Sequence, residues 1–314
     1  MQKITPITGT FLDEISHDIN HQNWGEQEWD NDFASMKTAG IDTVILIRSG
    51  YQRWITYPSA YLMKEHGCHE PYEDLVAMFL RLSEKHGMKF YFGLYDSGKY
   101  WTGKDYETET AINLRVIDEV FERYGHSQAF GGWYFSHEIN RNEMGVVEEY
   151  VKLGEHCKNL QDLPILISPY IDGKKAVMAE DSHLTKENPI TLEGHRQEWG
   201  HVLSNVKDVV DIIAFQDGHV DYDELESFMR VNKELSDQYG IDCWTNCESF
   251  DRDMPIKFLP IKWEKMWHKL KTAQKVGIEN AITFEFSHFM SPNSSYPQAK
   301  NLYNRYLECL NRQL

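Results

Sequence analysis

Two glutamates close short apolar runs in this chain, Glu138 after GGWYFSH and Glu248 after DCWTNC. A pair of carboxyl groups in unlike surroundings can divide labour: one stays protonated and hands its proton to a leaving oxygen, the other stays ionised as nucleophile or base. Cleavage of a glycosidic bond uses such a pair, about 5 to 5.5 Å apart when configuration is retained and about 6.5 to 9.5 Å apart when it is inverted. Other runs of the same kind end in Asp13 and Glu14, Arg48, Tyr95 and Asp96, Tyr170 and Asp172, Gln216 and Asp217, then Glu285 and His288, while His137 and Asn246 precede the two glutamates. Carboxylates gathered at one place raise one another's pKa values, so a ring of this composition suits proton transfer.

Aromatic residues add a second signal, because the apolar faces of sugar rings stack on indole and phenol rings while their hydroxyls meet charged and amide groups. Trp24, Trp54 and Trp101 follow the first three runs and are candidate platforms; Trp133 and Trp244 lie within runs and read as packing. Several polar candidates carry a structural reading beside the functional one. Glu138 or Glu248 could accept from Arg48 or Arg141, Asp217 could form a turn before Gly218, and Glu285 could be a substrate acceptor or an alternative acid. One of Asp13 and Glu14 has to point away from the site, since side chains alternate along a strand.

The elements that must carry these groups are eight β-branched and aromatic runs: 7–13, 43–49, 89–95, 131–137, 164–170, 211–217, 242–248 and 281–287. Their starts are 36, 46, 42, 33, 47, 31 and 39 residues apart, room each time for a loop, a helix and a return. Segments such as PYEDLVAMFLRLSEKHG and YDELESFMRVNKELSDQYG show apolar residues three and four apart. Glycines at 40, 87, 125, 240 and 277 are placed as left-handed helix caps. The expectation is a single (β/α)8 barrel over residues 1–314, with a long loop at about 171–198 over the active face. In such a barrel the C-terminal strand ends face the ligand, which makes the list of run ends a list of site residues. A doubly wound sheet would want a glycine-rich phosphate turn after its first strand, and EISHDINHQNW stands there instead.

Composition narrows the partners. A formal charge of −17, from 49 acidic against 32 basic residues, opposes a phosphate backbone, so no nucleic acid is expected. No run approaches the roughly 18 apolar residues of a membrane span, so no membrane partner is expected. Five cysteines without a paired framework read as thiols. The opening MQKITPITGTFLDE has no basic region followed by an apolar stretch, which favours the cytoplasm, or the periplasm or exterior if a leader has been removed. His17, His21, His137, His219 and His288 fall near the expected mouth, yet the first strand lacks the paired histidines of metal-dependent hydrolase barrels, so they read as hydroxyl binders or carboxylate orienters. Neither a metal nor another cofactor is expected. There is no GxSxG elbow, and ESFDRDMP and SHFMSPNSS are not phosphate loops.

With these residues in place, the arrangement resembles the large clan of retaining glycosidases that carry an acid/base glutamate on strand four and a nucleophilic glutamate on strand seven. By that resemblance Glu138 is the acid/base and Glu248 the nucleophile; the clan's asparagine before the strand-four glutamate is His137 here. GTFLDEISHDINHQNWGEQEWDNDFASMKTAGIDTVIL, GGWYFSHEI, IIAFQDG and WTNCESF also resemble the barrel family known as domain of unknown function 4434. The resemblance implies a glycosidase-like enzyme acting on an oligosaccharide or glycoside, and the run ends and loop aromatics place Arg48, Tyr95, His137, Tyr170, Gln216, Asp217, Asn246, Glu285, Trp24, Trp54 and Trp101 as candidates around the sugar. Two alternatives stay open: a carbohydrate-binding barrel without turnover, and a metal- or acid/base-dependent lyase or isomerase of sugar acids.

Overall fold

A computed structural model of the chain describes residues 3–16, 19–175, 189–253 and 258–311. Eight parallel strands close into a barrel: Ile7–Leu12, Thr43–Leu46, Lys89–Gly93, Phe130–Phe135, Ile165–Ile167, Ile212–Gln216, Asp242–Asn246 and Ala281–Thr283. Each pairs with its neighbours in sequence, Gly9 to Leu12 lying opposite Thr43 to Leu46, and Ile7 beside Ala281 closes the ring. All eight fall where the runs predicted them, and each stops short of the end of its run. The polar residues at the run ends therefore rise above the regular sheet into the loops.

Alternation along the strands splits the apolar residues into two cores. Phe11, Ile45, Tyr91, Tyr134, Leu166, Ile212, Ala214 and Ile282 fill the barrel interior, with Trp244 and Phe284 against them. Their neighbours face outward and pack on the helices, in a core that includes Trp133, Phe135, Ile213 and Phe215. The two indoles read as packing thus belong to different layers.

Helices Glu26–Thr38, Leu75–His86, Tyr106–Tyr124, Met144–Leu160, Leu192–Val206, Leu225–Tyr239 and Trp263–Lys275 follow successive barrel strands, and Pro297–Asn311 follows the last. Gly40, Gly87, Gly240 and Gly277 have φ of 85°, 62°, 71° and 85°, the left-handed turn that a residue without Cβ adopts at no steric cost. Gly125 corrects the expectation: its φ is −61°. A Cβ there would lie 2.6 Å from the Phe121 carbonyl oxygen, so close approach rather than a left-handed turn demands glycine.

Short extra strands decorate the mouth. Gly50–Tyr51 pairs antiparallel with Trp54–Ile55 and parallel with Tyr95–Asp96, and Phe250–Asp251 pairs with Leu259–Pro260. Within the expected 171–198 loop a helix already begins at Leu192. The rest of that expectation concerns mainly residues 176–188, which lie outside the described residues, as does His17. Cys68, Cys157, Cys243 and Cys247 form no disulfide, and no described helix is long and apolar enough to cross a membrane.

Candidate active site

Strand alternation decides which run-end residues reach the barrel mouth. Tyr134 points into the barrel, so Glu138, four residues on, rises on the same side, and the Tyr134 hydroxyl donates to Glu138 Oε1 at 2.5 Å. Tyr170, beyond the end of strand five, and Gln216, on strand six, also lie close enough to Glu138 to favour its ionised form. Burial among these rings pushes the Glu138 carboxyl above the ordinary range, outweighing nearby Arg48 and these three side chains, which favour the ionised form. Burial and Glu138 together hold the Tyr134 and Tyr170 hydroxyls far above the usual phenol value, so both remain donors.

Glu248 sits in the opposite electrostatic setting. It is fully buried, which disfavours its charge, but Arg252 grips both carboxylate oxygens, Nε to Oε2 and Nη2 to Oε1, each at 2.7 Å. Arg252, reinforced by Lys269 and His219, holds the Glu248 carboxyl below the ordinary range despite burial. Space for it comes from Gly218, where a Cβ would lie 1.9 Å from Glu248 Oε2. Tyr170 lies within electrostatic reach of both glutamates and of Arg252, and its ring stacks on His219 with centroids 5.2 Å apart.

Other expected site residues line the same mouth. Arg48 is half-buried, pairs with Asp96 Oδ2 at 3.1 Å and feels the charges of Glu138 and Asp13. Asn246 donates from Nδ2 to Ser168 Oγ at 3.1 Å and leaves Oδ1 buried without a hydrogen bond. Gln216 donates to the Ser168 carbonyl at 2.7 Å. Asp13 accepts from the backbone amides of Ile15 and Ser16 through Oδ1, while its Oδ2 is buried without a hydrogen bond.

The remaining candidates are placed differently, and each has a structural partner. His137, one residue out of step with Glu138, is buried between Glu109 and Glu149 of the surrounding helices. Asp217, out of step with Gln216, forms a buried ion pair with Lys269 at 2.7 Å and accepts the Glu248 amide at 3.1 Å. Glu285 caps the turn Phe286–Phe289 by accepting from the Ser287 and His288 amides, and it pairs with the His288 ring. Tyr95 donates its hydroxyl to the Gln52 carbonyl at 2.5 Å. Trp101 donates to Asp96 at 3.0 Å and lies against His137, and Trp24 meets Trp29 edge-on at 5.1 Å. Trp54 is 64% exposed on its hairpin, with the His69 ring beside it at 4.6 Å.

Four contributors escaped the sequence reading: Tyr134, Gly218, Arg252 and Lys269. Two were within reach, since Tyr134 precedes Glu138 by four residues, and Arg252 follows Glu248 by four. Among the described residues, Asp96, Glu109 and His137 form the one cluster with donor atoms close enough to share a metal ion, and its Asp96 also pairs with Arg48 of the mouth.

The family model described as a domain of unknown function, DUF4434, matches residues 7–296. The chain belongs to this family. Among solved structures, it is similar to a Bacteroides thetaiotaomicron protein described as a "putative alpha-L-fucosidase", with 56% identity, a TM-score of 0.93, and coverage of 98% of this chain and 94% of that one. A Thermotoga petrophila endo-1,4-beta-D-mannanase shares the barrel at 11% identity and a TM-score of 0.59, covering 97% of this chain and 99% of that one. A family 18 chitinase from Pseudoalteromonas aurantia does so at 10% and 0.54, covering 98% and 100%. The two distant likenesses concern the fold alone. No curated protein matches the chain in sequence.

Proposed function

We propose that this DUF4434 member is a glycoside hydrolase in which Glu138 is the general acid/base and Glu248 the nucleophile. The observation that carries the reading is the opposite bias of the two carboxyls: burial favours the protonated form of Glu138, and Arg252 with Lys269 favours the ionised form of Glu248. Environments that drive two carboxyl groups apart in this way support a division into proton donor and anion, the pair that glycoside cleavage uses. In the retaining version, a Glu248 oxygen attacks the anomeric carbon while Glu138 protonates the departing oxygen. Glu138 then takes a proton from water as it hydrolyses the glycosyl ester. Arg252, 28% exposed at its side chain, has to release one Glu248 oxygen for the attack. Asp13 Oδ2 and Asn246 Oδ1, buried acceptors without hydrogen bonds, suit sugar hydroxyls.

The name of the 56%-identical Bacteroides protein makes α-L-fucosides the first substrates to test, within a panel of aryl glycosides and oligosaccharides. Turnover lost in both Glu138→Gln and Glu248→Gln, with the fold retained, is the expected result. Turnover surviving in either variant contradicts the assignment. A second reading, a sugar-binding barrel without turnover, draws on the same bidentate Arg252 pair, which engages both oxygens of the would-be nucleophile. It predicts binding of a glycan without product, and with Arg252→Ala as well.

A further inference from the structure

At the rim of the barrel, beside the end of strand four, Asp96, Glu109 and His137 each present a donor atom within 4.8 Å of the others. The three come from separate elements: the short strand Tyr95–Asp96, the helix Tyr106–Tyr124 and the segment after Phe135. All are buried, Glu109 and His137 completely. The imidazole is held from both sides. Its Nδ1 is 3.2 Å from Glu149 Oε1, and its Nε2 is 3.3 Å from Glu109 Oε1. Neither ring nitrogen makes a well-formed hydrogen bond, and neither Glu149 oxygen has any, although all four atoms are sealed from water. Buried polar atoms are seldom left this way, and each such case calls for a physical account.

A metal ion supplies one. A ligating histidine usually turns its second nitrogen to a carboxylate that fixes ring and tautomer, while the ligating carboxylates accept hydrogen bonds of their own. Glu149 stands where that orienting acceptor belongs. Glu109 accepts from the Ser97 amide at 2.9 Å and from the Ser97 hydroxyl. Asp96 accepts from the Gly98 amide at 2.7 Å, from Trp101 Nε1 at 3.0 Å and from Arg48 at 3.1 Å. Donor atoms bound at about 2.0–2.1 Å in a tetrahedron lie about 3.3–3.4 Å apart, which matches the Nε2 to Oε1 separation of 3.3 Å. The Trp101 ring, its centroid 5.1 Å from that of His137, covers the cluster.

We propose that Asp96, Glu109 and His137 Nε2 hold one divalent transition-metal ion. One imidazole with two carboxylates suits Zn²⁺ or Mn²⁺ better than the all-oxygen preference of Ca²⁺ or Mg²⁺. The ion is structural and distinct from the acid/base chemistry: it ties a decorating strand and a helix to the residue before Glu138. The inference stands whether or not the barrel hydrolyses glycosides.

The test is metal analysis of the full chain, as purified and after EDTA, with melting curves on adding Zn²⁺ or Mn²⁺, in wild type, Glu109→Gln and His137→Gln. The expected result is about one Zn²⁺ or Mn²⁺ per wild-type chain, with stripping lowering the melting temperature by on the order of 5 °C and re-addition restoring it. Glu109→Gln, which keeps an oxygen for the Ser97 bonds, should stay folded and lose both metal and response, so the test stands even if His137→Gln fails to fold. A wild type that carries no metal and melts identically with and without both ions overturns the proposal and leaves a protonated His137 bridging Glu109 and Glu149. Full metal content in Glu109→Gln overturns it as well, by moving the ion elsewhere.

Discussion

Replacing Lys269 by methionine leaves Asp217 as an unpaired anion in the wall of the barrel. The two side chains are 6% and 1% exposed, with Nζ and Oδ1 2.7 Å apart. After the change, Oδ1 keeps the Glu248 amide at 3.1 Å, and Oδ2 already lacks a hydrogen bond. Removing one partner of a buried ion pair costs about 3–5 kcal/mol, most of it the penalty of the charge left behind. For a chain of 314 residues that corresponds to a fall in melting temperature of roughly 5–8 °C. The assay is urea unfolding followed by tryptophan fluorescence, with an unchanged denaturant slope confirming that the same surface unfolds. The double variant Asp217→Asn with Lys269→Met leaves no unpaired charge at this position and should be more stable than Lys269→Met alone, by about 2 kcal/mol. A loss below about 1 kcal/mol in Lys269→Met, or a double variant no better than the single, refutes the view that Asp217 is bound to Lys269 in a structural role.

Further outcomes follow from other parts of the site. Burial disfavours the His288 imidazolium, yet Glu285 outweighs it and raises the ring to about 9. Because the folded-state value lies above the unfolded one of about 6.5, this stabilisation is complete below pH ~6.5 and is lost as pH rises through ~9, amounting to at most about 3 kcal/mol; melting temperatures from pH 6 to 10 should fall more in wild type than in His288→Asn. Gly218→Ala places a Cβ 1.9 Å from Glu248 Oε2 and should cost about 1–3 kcal/mol of stability by overpacking, displacing that carboxylate and suppressing turnover, read from denaturation curves beside kinetics. Trp54→Ala should leave stability within about 0.5 kcal/mol because the ring is exposed, and should weaken binding of extended glycans more than of monosaccharides, measured by calorimetry.

The fold was readable because each barrel strand is a compact β-branched and aromatic run at a spacing only a crossover helix fills. Which strand-end side chains face the mouth was harder to read, because successive residues face opposite sides. His137 beside Glu138 and Asp217 beside Gln216 are adjacent in sequence and on opposite sides of the wall. Carried through from the inward Tyr134 and Ala214, the two-residue period separates them, a step made for Asp13 and Glu14 alone. The partners of the outward residues, Glu109, Glu149 and Lys269, lie on helices remote in sequence, and no local pattern discloses an ion pair of that kind. Gly218 looks like a turn former in FQDG, and only the packed Glu248 carboxylate shows what excludes a Cβ there.

The central claim is that one barrel mouth holds Glu138 protonated and Glu248 ionised. It is tested most directly by a carboxyl infrared titration of wild type against Glu138→Gln and Glu248→Gln, which needs no substrate. The signal lost in Glu138→Gln is expected to be a protonated carboxyl persisting above the ordinary carboxylate range, and the signal lost in Glu248→Gln to remain ionised below it. Two signals that titrate together near the ordinary value, or in the reverse order, would contradict it.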